Sequence, residues 1–441
     1  MNEFQLTSDQ QTALDGLLDS TAHLTLIEGA AGTGKTTVIQ NFVAEMLNRG
    51  RTTVLTAPTN KATRVLREFS LKSGLHVKCS TTYSLFGLNL SNDGSVREIR
   101  KARGVQDSYH VLVIDETSMV GEKLWPYIIE EAPFFDQIIF MGDRCQLPPV
   151  KEGSSITFDM ENRYYLTQVV RQAEGSPILE LGNRIRQTML EGVPVKIDTV
   201  ILPGDRRDGV YLIRDQQKFE SHILSAYDQP EHRTDPNFVK VLCWTNKQVN
   251  HYNKMVREHV IGQTTTPLVP GEFAHVRKPI NACNFEEHPN LLETNTKTRA
   301  ITPTDSLVQV ESISRDVHPW FTDMQIPVWV VQGIDLDTAE EVTAWVPADG
   351  TFEQQSKRLA EAARQERKLW PKYWLFDEAF SDLTYNYALT THRAQGSTYE
   401  NVFVDIADVN NMRPALDRLR CTYVACTRPR NKLIVNDQIR H

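Results

Sequence analysis

The stretch Gly29-Ala-Ala-Gly-Thr-Gly-Lys-Thr-Thr37 constrains this 441-residue chain more than any other. Gly29, Gly34, Lys35 and Thr36 fit the G-x-x-x-x-G-K-[ST] spacing of a phosphate-binding loop. The apolar "HLTLI" before it reads as a β-strand. The segment "TTVIQNFVAEMLNRG" after it reads as a helix stopped at Gly50. Glycines permit the tight path on which the N–H groups of Gly29, Ala30, Ala31, Gly32, Thr33 and Gly34 turn toward phosphate oxygens. The following helix adds its positive end, with Thr37 in its first turn. Lys35 is expected to reach the β- and γ-phosphates, and Thr36 to hold magnesium. The cofactor expectation is therefore ATP with Mg2+.

A second signal lies about 80 residues further on, in "VLVIDETSM". A buried strand ends there in Asp115-Glu116. A carboxylate at the carboxyl end of a strand, opposite a phosphate loop, suits magnesium coordination. Asp115 is read as the metal ligand and Glu116 as the group that orients and deprotonates an attacking water. "FMGDRCQLPPV" is another strand end, where Gln146 can sense a γ-phosphate by hydrogen bond. Arg171 in "LTQVVRQ" and Arg428 in "YVACTRPR" are candidates to clamp the same phosphate, since a guanidinium is always charged and offers a planar donor fork.

Composition bounds the rest. The chain is long enough for two to four domains. No apolar run approaches the roughly 18 residues of a membrane span, and "MNEFQLTSDQQ" lacks the pattern of a signal peptide, so the expected location is the cytoplasm. The six cysteines form no Cys-x-x-Cys pair and read as reduced thiols. A net charge of −8 argues against electrostatic coating of nucleic acid, though not against a local groove.

Strands and helices alternate through the first part: "TTVLTAPT", the helix "NKATRVLREFSLKSG", the strand "YHVLVIDE", the helix "EKLWPYIIEEAPF" and the strand "DQIIFMGD". This is the pattern of a parallel sheet covered by helices, an α/β fold. "FGLNLSNDGSVREIRKARG" reads as a small inserted β-hairpin turning at Asn92-Asp93-Gly94, or as a hairpin running into a helix. "SPILELGNRIRQTML" is an amphipathic helix, and a second core starts at "VKVLCWTNKQVNHYNKMVREHV". Between about Pro267 and Val346 helix signals give way to short β runs, expected to form an antiparallel module, a small barrel. "FEQQSKRLAEAARQERKLWPKYW" is a charged helix leading out. "YNYALTTH", "ENVFVDIA", "LRCTYVACTR" and "NKLIVND" read as strands closing the second core.

In this order and rough spacing, "LTSDQQTAL", "GAAGTGKTT", "LTAPTNKATRVL", "STTYSLFGL", "VIDETSM", "GDRCQLPPV", "LTQVVRQ", "VLCWTNKQVN", "ALTTHRAQGST" and "YVACTRPR" resemble a superfamily 1B DNA helicase of the RecD-like, phage Dda-like branch, from Leu6 to Arg430. The resemblance implies two RecA-like P-loop domains with an inserted β-hairpin and an inserted SH3-like β-barrel module. The boundaries are 1–185 for the first core (hairpin at about 86–104), 186–266 for the first part of the second, 267–372 for the barrel and charged helix, and 373–441 for the remainder. It implies that Gln10 reads the adenine edge, with Gln11 as the alternative. Gln146 becomes the phosphate sensor, and Arg171 and Arg428 the arginine fingers. Pro58, Thr59, Thr81 and Tyr83 match contacts to DNA in the first core; Asn246, Thr391 and His392 match those in the second. Gln395 and Gly396 match the loop that joins strand to nucleotide.

The implied activity is ATP-dependent 5′-to-3′ translocation and unwinding in replication, recombination or repair. The implied partners are single-stranded and forked DNA, with single-strand-binding or replication proteins, and the implied state is a monomer. The hairpin lacks the aromatic that Dda-like proteins carry near its tip, leaving Ile99, Leu90 or steric exclusion to part the strands. Thr398 stands where many relatives place a ribose-reading glutamate. A guanine-nucleotide switch would need Asn-Lys-x-Asp, which "TNKQ" at 245–248 half fits, and a nuclease would need a further acidic metal cluster. The runner-up readings are a 3′-to-5′ UvrD-like helicase and an RNA helicase.

Overall fold

A computed structural model describes residues 6–90, 96–98, 109–149, 152–168, 175–202, 208–282 and 299–440. The chain divides into two compact units. One comprises 1–226, 237–252 and 388–441, the other 227–236 and 253–387.

The first unit opens on α1 (Ser8–Asp19). Thr7 caps it, its hydroxyl accepting from Gln10 N while the Gln10 side chain accepts from Thr7 N. Two orphan donors are thereby satisfied reciprocally. Then come β1 (Leu24–Gly29), α2 (Lys35–Asn48), β2 (Thr53–Ala57), α3 (Asn60–Lys72), β3 (Lys78–Thr81) and α4 (Thr82–Leu85). The hairpin strands β4 (Leu88–Leu90) and β5 (Val96–Glu98) pair antiparallel, with Leu90 opposite Val96. The Asn92-Asp93-Gly94 turn and Ile99 lie outside the described residues. β6 (Val111–Ile114), α5 (Trp125–Glu131), β7 (Gln137–Gly142) and β8 (Arg163–Leu166) complete this part.

Its sheet has the order β3-β2-β6-β7-β1-β8, and every neighbouring pair is parallel. Parallel strands need both faces covered, which is why they read as continuous apolar runs. Val111, Val113, Ile139 and Met141 pack with α1 and α2 residues such as Leu17 and Phe42 on one face. Leu112, Ile114, Ile138 and Phe140 pack with Phe86 and Leu124 on the other.

α6 (Pro177–Glu191) follows, with Ser176 as N-cap, proline in its first turn and left-handed Gly192 ending it. Next are β9 (Val200–Ile201), β10 (Gly209–Leu212), α7 (Gln216–Tyr227), β11 (Val239–Cys243) and α8 (Asn246–Val260).

The second unit is built on β12 (Phe273–Lys278), β13 (Ile280–Ala282), β14 (Arg299–Thr302), β15 (Leu307–Val317), β16 (Pro327–Asp335), β17 (Glu341–Pro347), α9 (Thr351–Gln365), α10 (Trp370–Glu378) and β18 (Asp382–Tyr385). Its main sheet is antiparallel, in the order β17-β16-β15-β12-β18. The antiparallel module expected between 267 and 346 is therefore present; among the described residues β17 and β18 are the two edges of the sheet. The single charged helix expected at 352–374 is two: Glu366 turns to extended geometry and Pro371 opens the next helix.

The chain returns to the first unit with β19 (Ala388–Thr390), α11 (Thr391–Ala394), β20 (Tyr399–Val404), α12 (Ile406–Val409), α13 (Ala415–Cys426) and β21 (Pro429–Val435). The sheet order is β19-β11-β20-β21-β10-β9, parallel except for β9. Two readings are corrected here. "YNYALTTH" is not one strand, because Thr390 caps α11 by accepting from Arg393 N. "LRCTYVACTR" is not a strand but most of α13. Cys421 through Cys426 are all buried, so neither alternation nor a one-sided helical stripe is visible. A short apolar run of that kind does not distinguish strand from buried helix.

Candidate functional site

Three neighbouring strands deliver the site. β6, β7 and β1 lie side by side and parallel, so their carboxyl ends bring Asp115-Glu116, the Asp143–Gln146 loop and the phosphate loop together. Gly32 and Gly34 have φ of 80° and 77°. Gly34 caps α2 without any side-chain hydrogen bond, leaving the N–H groups of Lys35, Thr36 and Thr37 for a ligand. The loop folds tightly at Gly29, where a Cβ would come within 2.6 Å of Thr33 Oγ1 and 2.9 Å of Leu166 O. Lys35 Nζ curls back over the loop, donating to Gly29 O at 2.7 Å and Ala30 O at 3.0 Å. Thr33 Oγ1 donates to Ala30 O. Gln10 is buried and donates to Thr33 O at 2.8 Å, whereas Gln11 is exposed and bonds Asp15. Of the two glutamines, the one that touches the loop is Gln10.

Asp115 N is anchored on Thr56 O. Glu116 takes left-handed geometry, φ 50° and ψ 42°, and its N–H donates to Asp115 Oδ1 at 2.7 Å. A non-glycine residue held there is strained, a cost of order 1–3 kcal/mol that the surroundings must overcome. Burial, and then the negative charge of Glu116, hold the Asp115 carboxyl well above the usual carboxylate range, with Lys35 opposing. Two crowded acids facing an amine and an open helix end form a donor set that suits a phosphate-bound divalent cation.

Asp143 is fully buried. It accepts from Cys145 N at 3.0 Å and from the Tyr423 hydroxyl at 2.6 Å, and Arg186 Nε lies 3.4 Å away. Gln146 Oε1 accepts from Gln395 Nε2 at 3.1 Å, and the same Gln395 nitrogen donates to Ser118 Oγ at 3.2 Å. Lys61 Nζ donates to Arg393 O at 3.1 Å. Gly396, φ 75°, lies against α3, where a Cβ would stand 3.3 Å from Ala62 Cβ. The loop after α11 thus rests on both the Asp143–Gln146 loop and the start of α3. Under the phosphate loop, buried Glu28 pairs with Arg144 through Nε and Nη2.

Other candidates are spread along strand ends. Pro58 is buried after β2. Thr59 caps α3 by accepting from Ala62 N, and Thr81 caps α4 by accepting from Ser84 N. Both sit at the carboxyl ends of adjacent strands, since Ala57 pairs with Thr81. Tyr83 is half-buried on the core, its phenol pushed up to about 12 by burial and by Glu152. β19 and β11 are likewise adjacent, which brings Thr391 and His392 beside Asn246. Asn246 and His392 are exposed. Thr391 is buried, its hydroxyl donating to Cys243 O at 3.3 Å, so its polar group serves the sheet.

Arg428 is buried and donates to Val424 O, Ser397 O and Thr427 Oγ1, partners beside it in the second sheet's half. Arg171 lies outside the described residues. Sequence reasoning missed Asp143, Tyr423, Arg186 and Ser118 as parts of the site. Tyr423 stands inside the quoted "YVACTRPR", a lone phenol in an apolar run, and such a hydroxyl needs a partner when buried.

The family model of the AAA domain matches residues 5–196, and that of the UvrD-like helicase C-terminal domain matches 385–435. The ATP-dependent DNA helicase dda of Enterobacteria phage T4 is 24% identical over 90% of this chain and 92% of its own length. The ATP-dependent RecD2 DNA helicase of Deinococcus radiodurans is 30% identical over 40% of this chain and 23% of its own. The chain is thus similar to DNA helicases across both matched segments and, in the phage relative, across most of its length. Two solved Pif1 helicases share this fold, each with a TM-score of 0.52. One, from a study of unwinding at forked duplex DNA, is 15% identical and covered over 92% of its length. The other, from Bacteroides in complex with ADP-AlF3 and single-stranded DNA, is 16% identical and covered over 93%.

Proposed function

We propose that this chain is a superfamily 1B, ATP-driven helicase that moves 5′-to-3′ along single-stranded DNA and unwinds forked duplex. The observation that carries the reading is the buried bridge from Gln395 to Gln146 and Ser118. It ties the loop beside His392 to the loops that face the nucleotide, which is the coupling a motor needs.

In this reading two RecA-like halves hold ATP: 1–185, and 186–266 with 373–441. The module at 267–372 is an SH3-like barrel. Gln10 and the loop from Gly29 to Thr37 bind the nucleotide. Thr36 and Asp115 would hold Mg2+, which when bound neutralises phosphate charge. Lys35 leaves its carbonyl partners for the phosphates. Glu116, aimed by its left-handed backbone, takes the proton of the attacking water. Gln146 senses the γ-phosphate. Arg428 exchanges its own backbone carbonyls for that phosphate, with Arg171 as second clamp, and loss of phosphate reverses the exchange. Gly396 lets the loop approach α3. Thr59, Thr81 and Tyr83, beside buried Pro58, face the strand in one half, and Asn246 and His392 in the other, where buried Thr391 braces the turn against the sheet. Polarity rests on likeness to the RecD-like branch. A monomer in the cytoplasm, working with single-strand-binding or replication proteins, fits this activity.

The test is ATP turnover with and without an unstructured DNA oligonucleotide, its RNA counterpart or blunt duplex. Stimulation by the single-stranded DNA alone is expected. Equal stimulation by RNA would move the substrate class, and no stimulation by any nucleic acid would overturn the motor.

A further inference from the structure

A phenol crosses from α13 into the phosphate loop. Tyr423 is 1% exposed. Its O–H donates to Asp143 Oδ2 at 2.6 Å, and its oxygen accepts from Ala31 N at 3.3 Å. Ala31 is the third residue of the phosphate loop, and its N–H is one of the donors a phosphate would claim. Asp143 is charge-balanced by Arg186 at 3.4 Å. One hydroxyl therefore joins three segments: the phosphate loop after β1, the loop after β7 and helix α13.

The two bonds differ in kind. The bond to Asp143 is short and charge-assisted; the bond from Ala31 is long and neutral. A phosphate oxygen carries charge and is the stronger acceptor for an amide. Burial and the Asp143 charge hold the Tyr423 phenol far up, so it remains a donor throughout the neutral range. Arg428 follows α13 by two residues, so whatever holds α13 also holds Arg428.

We propose that Tyr423 is a positioning residue whose hydroxyl fastens α13 to the phosphate loop in the nucleotide-free protein, so that nucleotide competes for Ala31 N–H and releases that end of the contact, leaving α13 held through Asp143 alone and able to carry Arg428 inward. The inference rests on the reading of Gly29–Thr37 as the nucleotide site. It adds a competition that the reading does not require.

The test is equilibrium binding of a fluorescent ADP analogue with magnesium, without DNA, to wild type and Tyr423→Phe. The ring and its packing are kept while the hydroxyl is removed, ending the competing bond from Ala31 N together with the bond to Asp143, which keeps Arg186 and Cys145 N as partners; affinity should tighten about three- to tenfold, the scale of one hydrogen bond. A purely structural role predicts the opposite sign. Stimulation of turnover by single-stranded DNA should fall in the same variant, because α13 no longer reports nucleotide occupancy. Asp143→Asn keeps an acceptor for the phenol but removes its charge, and should tighten binding in the same direction by less. It serves as the second variant should Tyr423→Phe unfold, which thermal denaturation would reveal. Unchanged or weaker binding in the folded variants overturns the latch alone. Failure of wild type to bind the analogue overturns the loop assignment, and the latch with it.

Discussion

Gln395 and Gln146 meet side chain to side chain at 3.1 Å, both buried, one from the loop after α11 and the other from the loop after β7. Two amides in a dry site are expensive unless each satisfies the other. Gln395→Ala should leave Gln146 Oε1 and Ser118 without this partner and uncouple the two halves. The ratio of DNA-stimulated to unstimulated turnover is expected to fall about tenfold, the equivalent of about 1.4 kcal/mol of coupling. A ratio within twofold of wild type would show the contact to be packing only.

Lys35→Ala should reduce turnover by roughly 10²-fold or more, since its ammonium would meet charge that grows in the transition state. Glu116→Gln should retain nucleotide binding and lose turnover by a similar factor, the scale of a missing general base. Steady-state hydrolysis beside nucleotide affinity separates the two. A Glu116→Gln protein unable to bind ATP would make the residue structural.

Glu28 and Arg144 pair beneath the phosphate loop, with the carboxylate buried and the guanidinium partly in solvent. Arg144→Ala strands the carboxylate and is expected to cost about 2–3 kcal/mol, the lower end for a broken buried pair because water reaches the arginine side. Adding Glu28→Gln should restore part of that. Urea unfolding of the single and double variants checks the sign; a double variant less stable than Arg144→Ala would contradict the account.

His318 in the second unit links stability to pH. Its Nδ1 accepts from Trp320 N and its Nε2 faces Ala379 O, so the neutral ring is fully used. Burial among Trp320, Phe321, Trp345 and Phe380 pushes its pKa down to about 4 from 6.5. The folded state therefore resists a proton that the unfolded chain accepts. Stability is full above about pH 6.5 and is lost as pH falls toward 4, by about 3 kcal/mol at most. Urea midpoints at pH 7 and pH 4.5, with His318→Phe as the variant that flattens the difference, measure this. An unchanged difference in that variant would assign the acid sensitivity elsewhere.

Much of this was legible in the residues. The phosphate loop, the Asp115-Glu116 strand end and the Gln146 turn announce themselves because their spacing is fixed by chemistry. Parallel strands such as Val111–Ile114 announce themselves because both faces are buried. α13 did not, since its second half, Cys421 through Cys426, is buried on every side and carries no period. Nor did the Tyr423, Asp143 and Arg186 cluster, because contacts between residues 31, 143 and 423 depend on how two sheets close on one another, which no local pattern encodes. The parking of Arg428 on Val424 O and Ser397 O is likewise invisible to a motif, which marks the residue but not its resting place.

The most direct measurement of the central claim is strand separation on labelled DNA duplexes bearing a 5′ tail, a 3′ tail or no tail, with ATP and magnesium under single-turnover conditions. The account predicts product from the 5′-tailed duplex alone, and none from any of the three with Lys35→Ala. Product from the 3′-tailed duplex with none from the 5′-tailed one would contradict the direction, and no ATP-dependent product from any tailed duplex would contradict the unwinding itself.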